Sequence, residues 1–253
     1  MKCIYSLVLL IAVLSQPIVI MAQELDAKEV VRKTDELLRG RTNQGTYEMS
    51  ITTPAWQRTL KIRSWQDGQD KTFIRILAPA KDAGVGFLKL KNEMWTYLPS
   101  VERTIKIPPS MMMQPWMGSD FTNDDLVKES SMVEDYVHRH LGLEKIGEED
   151  AFKIESVPKP EAPVVWGKII YWVRKSDFMP LKAEYYDENG KRVRLLMYSQ
   201  FNRMHDRVIP TLWEMASLTE EKKGRKTIIR ILDVEFNAPI DDVFNMKNLQ
   251  RTK

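Results

Sequence analysis

The chain has 253 residues, 43% hydrophobic and 29% charged, with a formal net charge of +3. That balance supports a folded domain with a sizeable core and excludes a disordered or low-complexity chain. Lysines and arginines alternate with apolar residues instead of forming a tract, which excludes an extended nucleic-acid footprint; nucleic acid is not an expected partner.

At the N-terminus, Met1-Lys2-Cys3 precedes an almost uncharged apolar run from Ile4 to Met21, and charges begin at Glu24, after Ala22. A short basic region, an apolar stretch and a small residue in this order read as a secretory signal peptide. Residues 1–22 are therefore expected to be removed, with cleavage near Ala22, leaving 23–253 as one domain. An uncleaved membrane anchor is the competing reading, disfavoured by Pro17 near the end of the run and by the lack of a stop-transfer cluster. The only cysteine, Cys3, lies in the segment to be removed. A mature chain without thiols must be stabilised by its own core, and a bacterial periplasm is the simplest compartment.

Residues 25–39 carry the clearest helical signal. Ala27, Val30, Val31, Thr34, Leu37 and Leu38 recur at helical spacing, Asp26 and Glu29 resemble a capping box, and Gly40 stands where a helix stops. From Thr46 the pattern becomes β-branched and alternating. Strands are predicted over 46–53, 57–66, 71–78, 86–91, 93–98, 102–107, 132–143, 151–157, 167–175, 180–187, 191–200, 207–218 and 226–236. Asp67-Gly68 and Asn189-Gly190 are strong hairpin signals, Asn92-Glu93 and Pro99-Ser100 weaker ones. Sequential hairpins without helical crossovers imply an antiparallel meander. Segments 168–174 and 227–233 are apolar on both faces and are expected to be covered on both. Arg58, Lys61, Arg63, Lys89, Lys91, Lys182, Glu184, Lys191, Arg192 and Arg194 alternate with apolar neighbours, as on a wet sheet face. A single curved sheet with a filled concave face satisfies both patterns. Pro239 ends the last strand, and Asp241-Asp242 is expected to open a short helical turn that packs Val243 and Phe244 back on the sheet.

Between the two groups of strands lies Ser110 to Leu126, where Met111, Met112, Met113, Trp116 and Met117 run into Gly118-Ser119-Asp120-Phe121-Thr122-Asn123-Asp124-Asp125. Unbranched thioethers fill irregular or changing shapes, so an adaptable hydrophobic surface is preferred here over plain core filling. Copper(I) is a third reading, weakened because three contiguous methionines cannot all face one ion. Phe87, Trp95 and Tyr97 in the preceding strands could line an apolar pocket beneath this segment. Gly118, Ser119, Asp120, Phe121 and Asp124 form the turn after it, with Asp120 and Asp124 as caps of a helix beginning near Thr122.

Catalytic constellations are scarce. The sequence holds no Gly-x-Ser-x-Gly elbow, no zincin motif and no phosphate-binding Gly-x-x-x-x-Gly-Lys, and Gly84-Val85-Gly86 precedes a strand and reads as a turn. His138 and His140 share a strand face, a spacing that can seed a metal site, but no third ligand lies near in sequence and solvated side chains are favoured. His205, beside Asp206, falls in a turn. No catalytic residue, metal or cofactor is expected, and the chain is read as not an enzyme.

Met94-Trp95-Thr96-Tyr97-Leu98-Pro99-Ser100, Arg103-Thr104-Ile105-Lys106 and Met117 to Leu126 together resemble the outer-membrane lipoprotein-sorting protein family of LolA-like periplasmic carriers, and the ending Phe244-Asn245-Met246-Lys247-Asn248-Leu249 agrees. The resemblance implies a mainly β, LolA/LolB-like fold, an unclosed half β-barrel of about eleven antiparallel strands whose concave face is covered by helices. It also implies a carrier or chaperone that shields lipid or lipoprotein acyl chains, with an inner-membrane transporter and an outer-membrane acceptor as candidate partners. The alternative is a periplasmic sensor or protein-interaction module using the same apolar surface, serving an inner-membrane exporter.

Overall fold

The structure is a computed structural model that describes residues 25–123, 125, 132–160, 162 and 164–251. The expected signal peptide lies outside the described residues. Thirteen strands, the number in the segment reading and two more than the resemblance implies, form one antiparallel sheet. They are β1 (Thr42–Thr52), β2 (Gln57–Asp67), β3 (Lys71–Ala78), β4 (Gly86–Leu90), β5 (Glu93–Leu98), β6 (Arg103–Lys106), β7 (Tyr136–Ile146), β8 (Glu149–Pro158), β9 (Lys168–Arg174), β10 (Pro180–Tyr186), β11 (Arg192–Met204), β12 (Arg207–Ser217) and β13 (Lys226–Phe236).

The spatial order is β6-β5-β4-β3-β2-β1-β13-β12-β11-β10-β9-β8-β7. The last strand thus pairs with the first, Met49 opposite Ile229 and Ile51 opposite Thr227, and joins two meanders into one sheet. β6 and β7 are consecutive in the chain yet stand at opposite edges, so the sheet is unclosed and the connection between them must traverse it. Of that connection, residues 107–123 are described, and Ile107 and Trp116 pack with Met49, Ile62 and Ile74 on the inner face.

Helix α1 (Ala27–Arg39) packs Ala27, Val30 and Val31 on that face, against a cluster that includes Ile154, Ile169, Val173 and Met215. Asp26 precedes the helix without a side-chain cap bond, and Glu29 pairs with Arg32 instead of completing a capping box. Gly40, at φ 65°, turns the chain out of the helix, its N–H donating to the Glu36 carbonyl. Thr34 Oγ1 donates to the Phe178 carbonyl at 2.9 Å, which fixes the helix to the β9–β10 turn.

β9 is buried on both sides, as its composition predicts: Ile169, Tyr171 and Val173 face inward, while Ile170 and Trp172 pack outside with Ala151 and Leu181. β13 differs, for Arg230 and Leu232 are exposed on its outer side. Five of the charged residues assigned to a wet face depart from it. Lys89, Glu184 and Arg194 are each about 5% exposed, and Arg58 and Lys89 line hollows on the inner side, as described below. Lys182 lies over the Trp172 ring at 4.1 Å, covering apolar surface with its stem.

The closing helix, α2 (Met246–Gln250), starts later than the acidic pair suggests, capped by Asn245, whose side chain accepts from Asn248 N. Val243 and Phe244 pack back on the sheet as expected, with Phe73, Leu88, Tyr97 and Leu249. Arg75 secures this segment by donating to the Asn248 and Leu249 carbonyls at 2.7 and 3.0 Å. Gly86 leaves the room: a Cβ there would lie 2.7 Å from the Arg75 guanidinium and 3.0 Å from Leu249.

Candidate functional site

The crossing segment is held by a small number of strong polar contacts. Residues 115–122 form a tight loop in which Trp116 N–H donates to the Phe121 carbonyl at 2.8 Å and Ser119 donates to Trp116 O through both N–H and Oγ. Met117 and Gly118 adopt the left-handed region, at φ 52° and 79°. The second suits glycine; the first is an uncommon conformation for methionine. Three arginines from separate parts of the sheet then hold three of the loop's carbonyls: Arg58 on Met117, Arg225 on Gly118 and Arg194 on Asp120. Charge-assisted bonds of this kind are stronger than neutral ones.

Arg194 also pairs with Asp125 through both guanidinium nitrogens, at 2.8 and 3.2 Å, and its ring-like plane lies 4.8 Å from Trp166 and 5.4 Å from Tyr185. Burial opposes its charge, but Asp125, Tyr185 and Asp120 together outweigh that and raise its pKa. The helix beginning near Thr122 has a capping box made by Thr122 and Asp125: Asp125 N–H donates to Thr122 Oγ1, and the Asp125 carboxylate accepts from Thr122 N–H. Asp120, expected as a cap, instead accepts from Thr227 Oγ1 on β13 at 2.9 Å. Asp124 lies outside the described residues.

Beneath α1 and this loop is a cavity of about 300 Å³. One wall is aromatic and aliphatic, from Tyr171, Tyr185, Tyr198, Trp213, Met215 and Ile229. The opposite wall is graded. Strand register sets Asn43, Gln66, Thr72 and Lys89 side by side across β1 to β4, and Ile62, Ile74 and Met49 follow further along the same strands. Val31, Leu38 and the Asp35–Arg39 ion pair of α1 form the roof with Trp116 and Phe121.

Of the expected ligand-contacting residues, only Trp116 lines this cavity. Phe87 is adjacent, its ring edge-on to Trp116 at 5.2 Å, and Met111, Met112 and Met117 pack against the same inner cluster. Met113 is 45% exposed. Trp95 and Tyr97 face the other way. Phe87 pairs with Thr96, whereas Leu88 pairs with Trp95 and Gly86 with Tyr97, so alternation sends both aromatics to the outer face under α2. The two histidines share a face, as spacing predicts, and are half-buried, each with a hydrogen-bond partner. His138 bonds Ser156 Oγ at 2.8 Å, and His140 bonds the Leu25 carbonyl at 2.6 Å with its ring 5.6 Å from Phe152. Sequence reasoning missed Arg194, Asp125 and the aromatic wall, because alternation marks a strand's two faces without saying which is concave.

A family model described as an uncharacterized protein matches residues 68–251. The chain belongs to that family. A DUF1329 family protein from Desulfovibrio piger ATCC 29098 superposes with a TM-score of 0.81 at 21% identity, covering 88% of this chain and 97% of that one. A domain assigned as an outer membrane lipoprotein-sorting protein from Vibrio parahaemolyticus gives 0.76 at 24% identity, covering 89% and 98%. A LolA superfamily protein from Nitrosomonas europaea gives 0.74 at 22% identity, covering 88% and 99%. The chain therefore shares its fold with this LolA superfamily protein. Among curated proteins none matches it.

Proposed function

We propose that this protein is a non-enzymatic periplasmic carrier that takes acyl chains of a lipid or lipoprotein into the central cavity, for lipoprotein sorting or lipid transfer. The observation that carries the reading is the cavity itself, walled by aromatic and aliphatic side chains and roofed by a helix and a loop. Apolar burial supplies affinity without covalent chemistry, at about 0.8 kcal/mol for each methylene taken from water. A roof held by polar clamps over a methionine-rich segment can open and adapt to chains of different shape. Trp116, Phe121 and the Tyr185, Tyr198 and Trp213 wall would contact cargo, with Met111, Met112 and Met117 supporting the cover. The signal-peptide-like pattern of the N-terminal sequence and the fold shared with lipoprotein-sorting neighbours support the compartment, and an inner-membrane transporter and an outer-membrane acceptor remain the partners in this reading.

Protein purified from its native periplasm should carry co-extracted lipid in native mass spectrometry. Ile229→Lys, which places an ammonium group in the cavity wall, should weaken uptake of a fluorescent fatty acid at least tenfold while circular dichroism stays that of the folded protein. Apo protein alone, together with no uptake by the wild type, would overturn the proposal. A second reading, a protein-interaction module, is favoured by edge strand β7, which among the described residues pairs only with β8 and exposes Val137, Leu141 and Leu143.

A further inference from the structure

The lining of the central cavity changes along its length in a way that hydrocarbon alone does not call for. Cross-strand register sets Asn43 opposite Gln66, Gln66 opposite Thr72 and Thr72 opposite Lys89. Residues opposite each other in an antiparallel sheet stand about 5 Å apart, so these four make one polar row across the inner face of β1 to β4. Two residues further along, Ile74 of β3 faces Phe87 of β4, and the surface is apolar from there on. Lys89 is 5% exposed, and its Nζ donates to the Gln69 carbonyl at 2.7 Å, which places the ammonium group beside the β2–β3 turn. Among the described residues the charged members of the lining are Asp35, Arg39, Lys89 and Asp125. Both carboxylates are engaged by guanidinium groups, Asp35 by Arg39 at 2.9 Å and Asp125 by Arg194 at 2.8 Å. Lys89 therefore sets the sign of the lining. Arg58 lines a separate, more open cleft with Lys81 and Asp82 and takes no part in this row.

We propose that the polar row is a headgroup subsite, and that the ligand of the cavity is a single-chain amphiphile with an anionic head, a carboxylate or a phosphate. The inference rests on the carrier reading and names its class of cargo. Gln66 accepts from Asn43 through Oε1 at 2.8 Å, which turns its amide NH2 away from Asn43, and Thr72 adds a hydroxyl next to it. An oxyanion accepts from that amide, that hydroxyl and the Lys89 ammonium, the last as a charge-assisted bond. The chain then runs past Ile74 and Met49 toward Trp116 and the wall of Tyr198 and Trp213. An ammonium head would meet Lys89 with like charge, and an alcohol would forgo the charge-assisted bond. A volume of about 300 Å³ is at the lower end for small-molecule sites and suits one chain better than two.

The test is displacement of N-phenylnaphthylamine, a neutral apolar fluorophore, from the full chain by dodecanoate, dodecyl phosphate, dodecanol and dodecylamine, each below its micellar concentration. One or both anions should bind tighter than the alcohol by roughly tenfold or more, the difference that one charge-assisted hydrogen bond supplies, and dodecylamine should bind most weakly. The order of the two anions identifies the head as carboxylate or phosphate. In Lys89→Met, which keeps the length of the buried stem, the ratio of anion to alcohol affinity should fall toward one, and in Thr72→Val it should fall part of the way. Equal wild-type affinities for dodecanoate, dodecyl phosphate and dodecanol would overturn the headgroup subsite and leave the carrier reading standing. So would tighter binding of dodecylamine than of either anion, or an unchanged ratio in Lys89→Met. Displacement by none of the four would overturn both.

Discussion

The two faces of the first meander are similarly apolar and are covered in different ways. Outside, Phe73, Leu88 and Tyr97 are sealed by Leu249, which is fully buried, and by Val243 and Phe244 from the chain's own end. Inside, Met49, Ile62 and Ile74 meet Trp116 from a loop that is tied down through backbone carbonyls by arginines and leaves a cavity beside it. Interdigitated side chains make the outer cover a core, because its contacts cannot be withdrawn without leaving a void. The inner cover adds a few polar contacts to the packing of Trp116, and it fits the face beneath it incompletely. A greasy face becomes a binding surface when its cover fits it incompletely.

Arg194 should mark the largest difference between the two covers. Arg194→Ala leaves the half-buried Asp125 without its guanidinium and should cost about 3–5 kcal/mol in urea unfolding, with hydrogen exchange accelerated at residues 116–123 and unchanged at 246–250. Equal acceleration in both segments would show that the covers are not separable.

Leu249→Ala should cost about 2–4 kcal/mol by the cavity it opens on the outer face. Fatty-acid uptake by the folded fraction should be unaltered. Loss of uptake would mean that the outer cluster shapes the inner cavity.

The smallest effect concerns α1. Burial, first, with Lys28 and Lys159 nearby, pulls the His138 pKa below its ordinary 6.5, against the opposing influence of the Val133 carbonyl and Asp26. The unfolded chain therefore binds a proton at higher pH than the folded one, and this contribution to stability is lost as pH falls below about 6.5. It should be absent in His138→Phe. The carboxylates held below their ordinary range, such as Glu134 beside Lys28 and Asp206 beside Arg207, lose their contributions only at more acid pH. Urea midpoints for wild type and His138→Phe between about pH 7 and 5 test the distinction.

Much of the fold was legible because β structure has a short period. Every predicted strand segment overlaps a strand of the sheet, and α1 begins two residues inside its predicted range and ends at Arg39. The site was less legible. Met94-Trp95-Thr96-Tyr97 shows that two aromatics share a face, but the direction of curvature, which assigns that face to α2 and not to the cavity, depends on what packs against it. Arg194 and Lys89 looked like wet-face residues for the same reason. Their alternation with apolar neighbours is real, and its sense is inverted at those positions.

Sequence by itself determined the antiparallel meander, the amphipathic helix and the adaptable composition of the segment between the strand groups, since each follows from local periodicity and turn chemistry. Tertiary structure alone decided that β1 pairs with β13 and that β6 and β7 become opposite edges. From that pairing follow the traverse of the concave face, the three arginine clamps and the unequal covers of the two faces. These are contacts between residues far apart in the chain, and no local pattern carries their partners.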